Sequence, residues 1–572
     1  QEWLPGKDRG LSMRDYPFLA LGDLPVFYPY IQDNVGEALQ TRRRGRAVSI
    51  SHQTPPFAPA GLYDELRDML TLIEEYEQLD EGAVQQAVME KILAATRDSS
   101  MIQDLGWQES QARDDFSGFL QVLHDHLQSL AQTAMPLGLH RFGQPSAPEH
   151  RLSVVMQQLG QPFYEALGLP DGVFAEDFTK LQSSVPYQTL NRYLREGEDI
   201  ATAVPELQAH LRRAQELDAG LADTGEMEAL LSGLSGGFVL PGPGGDPIRR
   251  PGLASGRNLY ALEPDKLPTP AAYESGGTAL MQLVDTYRSE HQGAWPQRLA
   301  FSLWAGEAVR HQGITEGQVL QALGLKPVWA RNGRISRLEI IPATTLGRPR
   351  IDVVIQTTGV YRDQFDGFMR LLAEAMNRLA ELDEPDNPVA SNTKRIMDEL
   401  LASGMSANEA AQAARYRIFS SAPGNYGTGL PGMMQQSTQW EGDAALAGQF
   451  LSRMQYAYGS EGWAIKPSSA NLLAAQLRGT DAAVMSRTSN IHGVLSTDHP
   501  FEFLGGLSVA IRHLDGKSPP LYISDLRQKE PKTTSMQAFL SNEMRVRYLN
   551  PHWIQGMQTE GYAGTLEVVD TV

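Results

Sequence analysis

Side chains that could bind or transform a ligand follow two predicted strands, at residues 304–307 and 358–363. The segments RLAFSLW (298–304) and RIDVVIQTTG (350–359) are apolar without alternation and are separated by predicted helices, a pattern typical of a parallel sheet covered on both faces. Because ligands of such sheets bind beyond the carboxyl ends of the strands, Trp304, Glu307, Arg362 and Asp363 are candidate site residues. Arg362 and Asp363 could equally form a buried structural pair.

A loop rich in glycine and proline carries a second group of candidates. Residues 235–272 contain too many Gly and Pro residues for regular structure, and loops of this length in compact proteins are usually functional or disordered. Arg249, Arg250, Arg257 and Asn258 lie among the glycines. The loop therefore offers both backbone and charged hydrogen-bond donors to a ligand.

Histidines give weaker signals. The run AVSI (47–50) predicts a strand that ends near His52, since TPP (54–56) can continue neither a helix nor a central strand. A single His at a strand end is more often structural than catalytic. His124 and His126 are two residues apart on a predicted helix, so they point to different faces and make a poor metal pair.

The elements that must position these residues fall into four regions. Residues 1–58 predict a segment of strand and loop, and residues 59–235 carry apolar side chains at spacings of three and four, typical of a helical insertion. Residues 236–385 predict the Gly/Pro loop followed by an α/β domain, and residues 386–572 a mixed, mostly helical C-terminal domain. We therefore predict an α/β multi-domain protein with a parallel-sheet, Rossmann-like core.

Composition and motifs exclude several classes of protein. The 572 residues include 49 Lys and Arg, 68 Asp and Glu and no Cys, which gives a net charge of −19. The missing cysteines exclude thiolate catalysis and Cys-ligated metal centres, and the acidic balance argues against binding nucleic acid. No apolar run approaches the length of a membrane span. GKS (516–518) is not a phosphate-binding loop, because Ile511 stands where its first glycine is required, so we expect no ATP hydrolysis by this chain.

Short blocks in a recognisable order run along the whole chain. They are QEWLPGK (1–7), GDLPVFYPYIQDNVGEALQTRRR (22–44), SHQTPP (51–56), LPGPGGDPIRRP (240–251), SGRNLY (255–260), LWAGE (303–307), GLKPVW (324–329), RPRIDVVIQTTGVYRDQF (348–365), DEPDNP (383–388), APGNYGTGL (422–430), FEFLGGLSVAIRHLDGKSPPLYISDLR (501–527) and LNPHWIQGMQTEGYAG (549–564). Together they resemble the CobN/magnesium-chelatase large-subunit family, whose members insert a divalent metal into a tetrapyrrole. No block is specific alone, but the series is.

Two departures from the family accompany the resemblance. QEWLPGK resembles the end of the family motif H-G-[ST]-x-E-[FW]-x-P-G-K, entered after its Thr or Ser, and the family's subunit is considerably longer. The resemblance therefore implies that this chain is a fragment. Ser255 stands where the family usually has Thr.

The resemblance implies a tetrapyrrole-binding catalytic subunit of an ATP-dependent metal chelatase in the cytoplasm. Separate AAA+ ATPase and adaptor subunits would bind ATP and its Mg²⁺. DEPDNP and HGVLSTDHPFEFLGGL (492–507) resemble the CobN branch, which favours cobalt as the metal substrate and hydrogenobyrinate a,c-diamide, a corrin precursor of cobalamin biosynthesis, as the ring. Magnesium and iron stay open, as do a magnesium-chelatase H-type protein, a haem-demetallating CobN-like protein and a non-catalytic tetrapyrrole carrier.

The chemistry of metal insertion assigns roles to residues in these blocks. Two pyrrole protons must leave and water must be stripped from the cation, so a base, metal ligands and donors to the ring carboxylates are required. The resemblance makes Glu2 the first candidate, as both base and metal ligand, ahead of Glu37 and His52 as bases. Glu307 and His492 are further metal-ligand candidates, and His499 and His513 flank the same block as His492. The ring-binding candidates are Arg43 and Arg44 of the charge run 42–44, together with Arg257, Asn258, Trp304, Arg362, Asp363 and Tyr426.

Overall fold

The N-terminal described elements form a small parallel pair of strands joined by a helix. The computed structural model describes residues 14, 16–169, 178–260, 263–528 and 530–571. Its first elements are α1 (Tyr16–Leu21), β1 (Phe27–Ile31), α2 (Val35–Gly45), β2 (Val48–His52) and β3 (Phe57–Pro59). β1 pairs with β2 in parallel, with Phe27 opposite Val48. The strand predicted to end near His52 is thus confirmed as β2.

The next region is helical, as its apolar spacing predicted. Leu66, Met69, Leu70 and Ile73 form the buried face of its first helix. The elements are α3 (Asp64–Gln78), α4 (Ala83–Asp98), α5 (Met101–Asp104), α6 (Glu109–Asp114), α7 (Phe116–Gln132), β4 (Ala134–Pro136), α8 (Pro148–Leu159), α9 (Gln161–Ala166), α10 (Val185–Leu194), α11 (Pro205–Ala222) and α12 (Glu226–Leu234). β4 pairs with β3, so the helices α3–α7 start and end at one antiparallel pair, whereas α8–α12 follow it.

The following region alternates strands and helices. Its elements are β5 (Pro241–Pro243), β6 (Asn258–Tyr260), α13 (Pro270–Glu290), β7 (Arg298–Leu303), α14 (Ala305–Arg310), α15 (Ile314–Leu323), β8 (Leu325–Trp329), β9 (Ile335–Ile340), α16 (Ala343–Leu346), β10 (Asp352–Thr357), α17 (Gly359–Gln364) and α18 (Asp366–Ala380). β7 and β10 are buried along their whole length, which explains their unbroken apolar sequences.

The C-terminal region adds further strands to the same sheet. Its elements are α19 (Pro388–Ala402), α20 (Ala407–Ala413), β11 (Ile418–Ser420), α21 (Leu430–Met434), α22 (Gly442–Met454), β12 (Tyr456–Tyr458), β13 (Trp463–Ile465), α23 (Leu472–Leu477), β14 (Ala482–Arg487), a π-helical turn (Phe501–Gly505), α24 (Gly506–Asp515), β15 (Leu521–Asp525), β16 (Lys532–Ser535), α25 (Met536–Glu543), a second π-helical turn (Met544–Tyr548), α26 (Pro551–Thr559) and α27 (Gly561–Thr571). Trp553 and Met557 of α26 join the hydrophobic core of α3, α4 and α7.

The central sheet is mixed, so the predicted α/β class is confirmed, the predicted parallel arrangement holds for the central strands only, and the Rossmann-like topology stays a prediction. In the described part of the chain it has eight strands in the order β13-β12-β11-β10-β7-β14-β15-β16. The five strands from β11 to β15 are parallel, whereas β12, β13 and β16 are antiparallel to their neighbours. β13 and β16 follow their partners β12 and β15 through connections too short for the crossover that a parallel pair requires, whereas β12 follows β11 after α21 and α22. The division of the chain into four domains stays a prediction.

Candidate active site

A cavity of about 340 Å³ lies at the carboxyl ends of β7, β10 and β14. Its floor is formed by the residues that follow these strands, and its walls by α2 and the π-helical turn 501–505. The polar and aromatic side chains that line it are Tyr30, Asn34, Glu37, Gln40, Trp304, Glu307, Arg310, Thr358, Tyr426, Arg487, His492, Thr497, His499, Glu502 and Phe503. The structure therefore brings together Glu37, Trp304, Glu307, Tyr426 and His492, predicted separately from four blocks of sequence.

Glu37 is brought to the cavity by a close contact between two helices. A Cβ on Gly36 would lie 2.8 Å from the backbone N of Gly306, so α2 can approach α14 this closely only with glycine at position 36. The Tyr30 hydroxyl and Asn34 Nδ2, the latter at 3.1 Å, donate to Glu37 Oε2. Burial raises the pKa of Glu37, and the neighbouring His499 opposes this shift. Glu37 therefore binds a proton more readily than a glutamate side chain in water does.

Glu307 is held in the opposite electrostatic state. Its carboxylate is buried and accepts hydrogen bonds from Arg310 Nη2 at 2.6 Å and from the Thr488 hydroxyl at 2.7 Å. Burial alone would raise its pKa, but the charges of Arg310 and Arg487 outweigh this effect and lower it. Arg310 also pairs with Asp33 at 3.3 Å, which fixes the guanidinium. Glu307 is thus an anchored anion with both oxygens occupied.

His492 contributes a neutral ring. Burial lowers its pKa to about 4; nearby Asp33 opposes this shift, and Arg310 and Arg487 reinforce it. At neutral pH the imidazole therefore carries no charge, the form in which a histidine binds a metal.

Aromatic side chains cover two sides of the cavity. The Trp304 ring lies 5.8 Å from the His499 ring and 5.7 Å from the Phe503 ring, and its Nε1 donates to the Ser302 hydroxyl at 2.9 Å. On the facing side, the Tyr426 hydroxyl donates to Asp363 Oδ2 at 2.6 Å. Both rings are fixed by hydrogen bonds outside the cavity, and the Arg362 guanidinium lies over one face of the Tyr426 ring, 5.5 Å from its centroid.

Arg362 and Asp363 support the site from behind. Arg362 is buried, and its Nη1 donates to the carbonyl groups of Ser421 and Ala422, both at 2.9 Å. Asp363 accepts from Arg362 Nε at 2.9 Å and holds Tyr426. In the described structure neither residue lines the cavity. The sequence left open a contact with a ligand or a buried structural pair. The contacts observed here are those of a structural pair.

Other predicted site residues lie elsewhere. The His52 ring stacks on His140 at 5.4 Å, and its pKa is lowered by burial. The backbone N of Arg257 donates to the Ser51 hydroxyl at 3.0 Å, and Asn258 Oδ1 accepts from the Ser49 amide at 3.2 Å, so both residues join β6 to β2.

The remaining predicted site residues have side chains outside the described part of the structure or lie on the surface. Arg43 and Arg44 lie in α2, but their side chains, and the whole of Glu2, lie outside the described residues. His513 is exposed on α24.

Sequence reasoning missed several polar residues of the cavity. Arg310 lies three residues after Glu307 on one helix, and this spacing is the signal that could have indicated their ion pair. Tyr30, Asn34 and Glu502 lie within the recognised blocks, yet nothing in their order shows that they face one cavity. Only the tertiary contact of α2 with α14 brings them together.

No helix in the described ranges is long and apolar enough to cross a membrane.

Comparisons with known proteins agree with the resemblance in the sequence. The chain matches the CobN/magnesium chelatase family over residues 1–572. It is 33% identical to the aerobic cobaltochelatase subunit CobN of a Sinorhizobium species, over 100% of this chain and 49% of that protein. It is 27% identical to the chloroplastic magnesium-chelatase subunit ChlH of Oryza sativa subsp. japonica, over 99% of this chain and 45% of that protein. The catalytic subunit of cobaltochelatase from Mycobacterium tuberculosis has a similar structure, with a TM-score of 0.88, 31% identity and coverage of 100% of this chain and 50% of that one.

This chain thus spans about half the length of the relatives it matches. The match over its whole length, together with identity above 30% to a CobN protein, confirms the predicted family. The chain belongs to the CobN/magnesium chelatase family.

Proposed function

We propose that this chain forms the tetrapyrrole-binding catalytic part of an ATP-dependent metal chelatase of the cobaltochelatase type. The observation that carries the proposal is the contrast inside one cavity between Glu37, whose pKa is raised by burial, and Glu307, whose pKa is lowered by the charges of Arg310 and Arg487. Carboxyl groups whose environments push their pKa values apart can take different roles in a reaction that transfers protons. The cavity volume of about 340 Å³ lies in the range of ligand sites.

Insertion of a divalent ion into a free-base ring releases two protons, so charge balances when both pyrrole N–H bonds break. Glu37 is suited to accept a proton, because a raised pKa makes its carboxylate a stronger base. The neutral imidazole of His492 can ligate the divalent cation, whereas the Glu307 carboxylate is already paired with Arg310 and has both oxygens occupied. Glu2, outside the described residues, remains proposed as a base and metal ligand, and His52 as a further base.

Trp304 and Tyr426 are suited to contact the faces of a flat macrocycle, since aromatic rings stack favourably in offset or edge-to-face arrangements. Arg43, Arg44, Arg257 and Asn258 remain proposed as partners of the ring carboxylates.

Cobalt and hydrogenobyrinate a,c-diamide are the proposed substrates, with cobalamin biosynthesis in the cytoplasm as the setting. The CobN relatives and the blocks DEPDNP and HGVLSTDHPFEFLGGL support this choice over magnesium or iron. AAA+ and adaptor subunits would supply ATP hydrolysis, in keeping with the absence of a phosphate-binding motif in this sequence.

Ring binding and metal insertion can be tested separately. Hydrogenobyrinate a,c-diamide, protoporphyrin and haem are titrated into the full chain and followed by absorption, and insertion of Co²⁺ is then measured with partner subunits and ATP. We expect Glu37→Gln to bind the ring within about twofold of the wild type and to insert metal at least about 100-fold more slowly.

Glu77→Gln, an exposed change on α3, is the matched control and should alter neither quantity. Ring binding with no metallation by the wild type would instead identify a carrier. An unchanged insertion rate in Glu37→Gln would refute its assignment as the base.

A further inference from the structure

A mixed cluster of metal-ligating side chains lies at the mouth of the cavity. One oxygen of Asp498, one ring nitrogen of His499 and one oxygen of Glu502 all lie within 4.8 Å of one another. The Glu502 amide donates to the Asp498 carbonyl at 2.8 Å, so the backbone turn places the two carboxyl groups on the same side. Glu502 lies in the π-helical turn 501–505, and turns of this kind occur frequently at functional sites.

Glu502 gives an independent indication of a ligand. It is only 5% exposed and lines the cavity. Its Oε1 accepts hydrogen bonds from the amide and hydroxyl of Thr428, but Oε2 accepts none from the residues that the structure describes. Because this oxygen is not enclosed by protein atoms, a cation that enters the cavity can reach it.

The other two members make the cluster accessible from solvent. Asp498 and His499 have side chains 54% and 56% exposed, and His499 Nδ1 lies 2.8 Å from Asp498 Oδ1. A cation can therefore reach the exposed pair directly and contact Glu502 at the inner side. This arrangement leads from solvent toward Glu37 and Trp304, which line the same cavity.

We propose that Asp498, His499 and Glu502 form an acquisition site for a divalent transition-metal ion at the entrance of the cavity. One imidazole nitrogen and two carboxylate oxygens suit Co²⁺ or Zn²⁺ better than Mg²⁺, which prefers an all-oxygen shell. Three protein ligands leave coordination positions open for water and then for a ring nitrogen. The absence of thiolates in this cysteine-free chain favours transfer over storage. The role as a supply of substrate metal rests on the proposed function, but binding of the ion does not.

Binding of Co²⁺ alone, without ring, ATP or partner subunits, tests the site. Co²⁺ is titrated into the full chain and followed by its visible absorption and by quenching of tryptophan fluorescence, since the Trp304 ring lies 5.8 Å from the His499 ring. We expect saturable binding of one ion, with Trp304→Phe removing most of the quenching but little of the binding. His499→Ala and Glu502→Gln should each weaken binding at least tenfold.

The control is His124→Ala, which removes a surface histidine whose Nδ1 lies 3.9 Å from Asp125 but which has no third ligand nearby among the described residues. It should leave Co²⁺ binding unchanged. Glu502→Gln keeps an acceptor for Thr428, and far-ultraviolet circular dichroism verifies that the variants are folded. Wild-type affinity in both His499→Ala and Glu502→Gln overturns the inference.

The two proposals can fail independently. If Co²⁺ binding depends on the cluster but the chain never inserts metal into a ring, the acquisition site is supported and the chelatase function is refuted. If the chain inserts metal but its affinity for Co²⁺ does not depend on the cluster, the chelatase function is supported and the acquisition site is refuted.

Discussion

The two ends of the central sheet use buried charge in opposite ways. At the amino ends of β7 and β10, Asp352 accepts from Arg298 Nη2 at 2.8 Å and from Arg417 Nε at 2.6 Å, and Asn392 Nδ2 adds a third donor at 3.0 Å. Burial would raise the pKa of Asp352, but the two arginines lower it. The remaining donors of the arginines reach protein acceptors, among them the Gln476 and Val389 carbonyls.

At the carboxyl ends, by contrast, two acids of the cavity have no arginine partner among the described residues. Glu37 and Glu502 have raised pKa values, chiefly from burial, and Glu502 keeps an oxygen without a donor in the described structure. Glu307 lies at this end but resembles Asp352, because both of its oxygens are occupied. Saturated carboxylates fix the fold, whereas unsaturated ones retain the capacity to bind a proton or a cation.

Asp352→Asn should produce the largest loss of stability. Removing the charge leaves two buried guanidinium groups without a counter-ion, and breaking such pairs typically costs about 3–5 kcal/mol. Urea unfolding measures the effect, with the exposed Asp398→Asn of α19 as the control. A loss below about 1 kcal/mol would mean that the amino end does not depend on this network.

Glu307→Gln should cause the second largest loss of stability. It tests whether a carboxylate stabilises the fold because both of its oxygens have donors or because of the end of the sheet at which it lies. The amide keeps the hydrogen bond from Thr488 but no longer balances Arg310, so we expect a loss of about 2 kcal/mol. Arg310 retains Asp33, which makes the loss smaller than at Asp352. Unfolding in urea again provides the measurement, and stability equal to that of the wild type would place Glu307 with the unsaturated acids.

The strands and site residues that depend on a local sequence pattern could be predicted from the sequence. Unbroken apolar runs identified β7 and β10, and the rule for parallel sheets directed attention to Trp304 and Glu307. The antiparallel strands β12, β13 and β16 escaped prediction because strands of three or four residues carry too few side chains for a pattern.

Long-range contacts account for what was missed in the site. Glu37 and Glu502 line the same cavity although more than 400 residues separate them in the sequence. The close approach of Gly36 to Gly306 brings Glu37 there, and a local sequence pattern carries no information about such a contact. Likewise, hydrogen bonds to Ser49 and Ser51 of β2 hold Arg257 and Asn258 outside the cavity lining, although their loop had the composition of a binding loop.

Glu37→Gln should stabilise the fold slightly at neutral pH, unlike the changes at saturated acids. The folded-state pKa of Glu37 is raised, so the group contributes stability below the unfolded value of about 4.3, and that contribution is lost as pH rises through the folded pKa. An amide removes this penalty. The free energies of unfolding of wild type and variant should therefore differ by up to about 1 kcal/mol at pH 7 and become equal near pH 4. A variant less stable than the wild type at pH 7 would show that the Glu37 carboxylate is a stabilising charge.

Tyr30→Phe should have the smallest effect and sharpens the role of Glu37 without removing it. The Tyr30 hydroxyl donates to Glu37 Oε2. A hydrogen bond to an ionised carboxylate favours that form and should therefore oppose the rise in pKa that burial causes. Loss of the donor raises that pKa further, while Asn34 Nδ2 still contacts the carboxylate at 3.1 Å. If deprotonated Glu37 accepts the pyrrole proton, the acidic limb of the pH–rate profile for metal insertion moves to higher pH by less than about one unit, with the rate at high pH preserved. A uniform fall in rate at every pH would instead mean that Tyr30 positions the ring or Glu37 and does not tune its proton affinity.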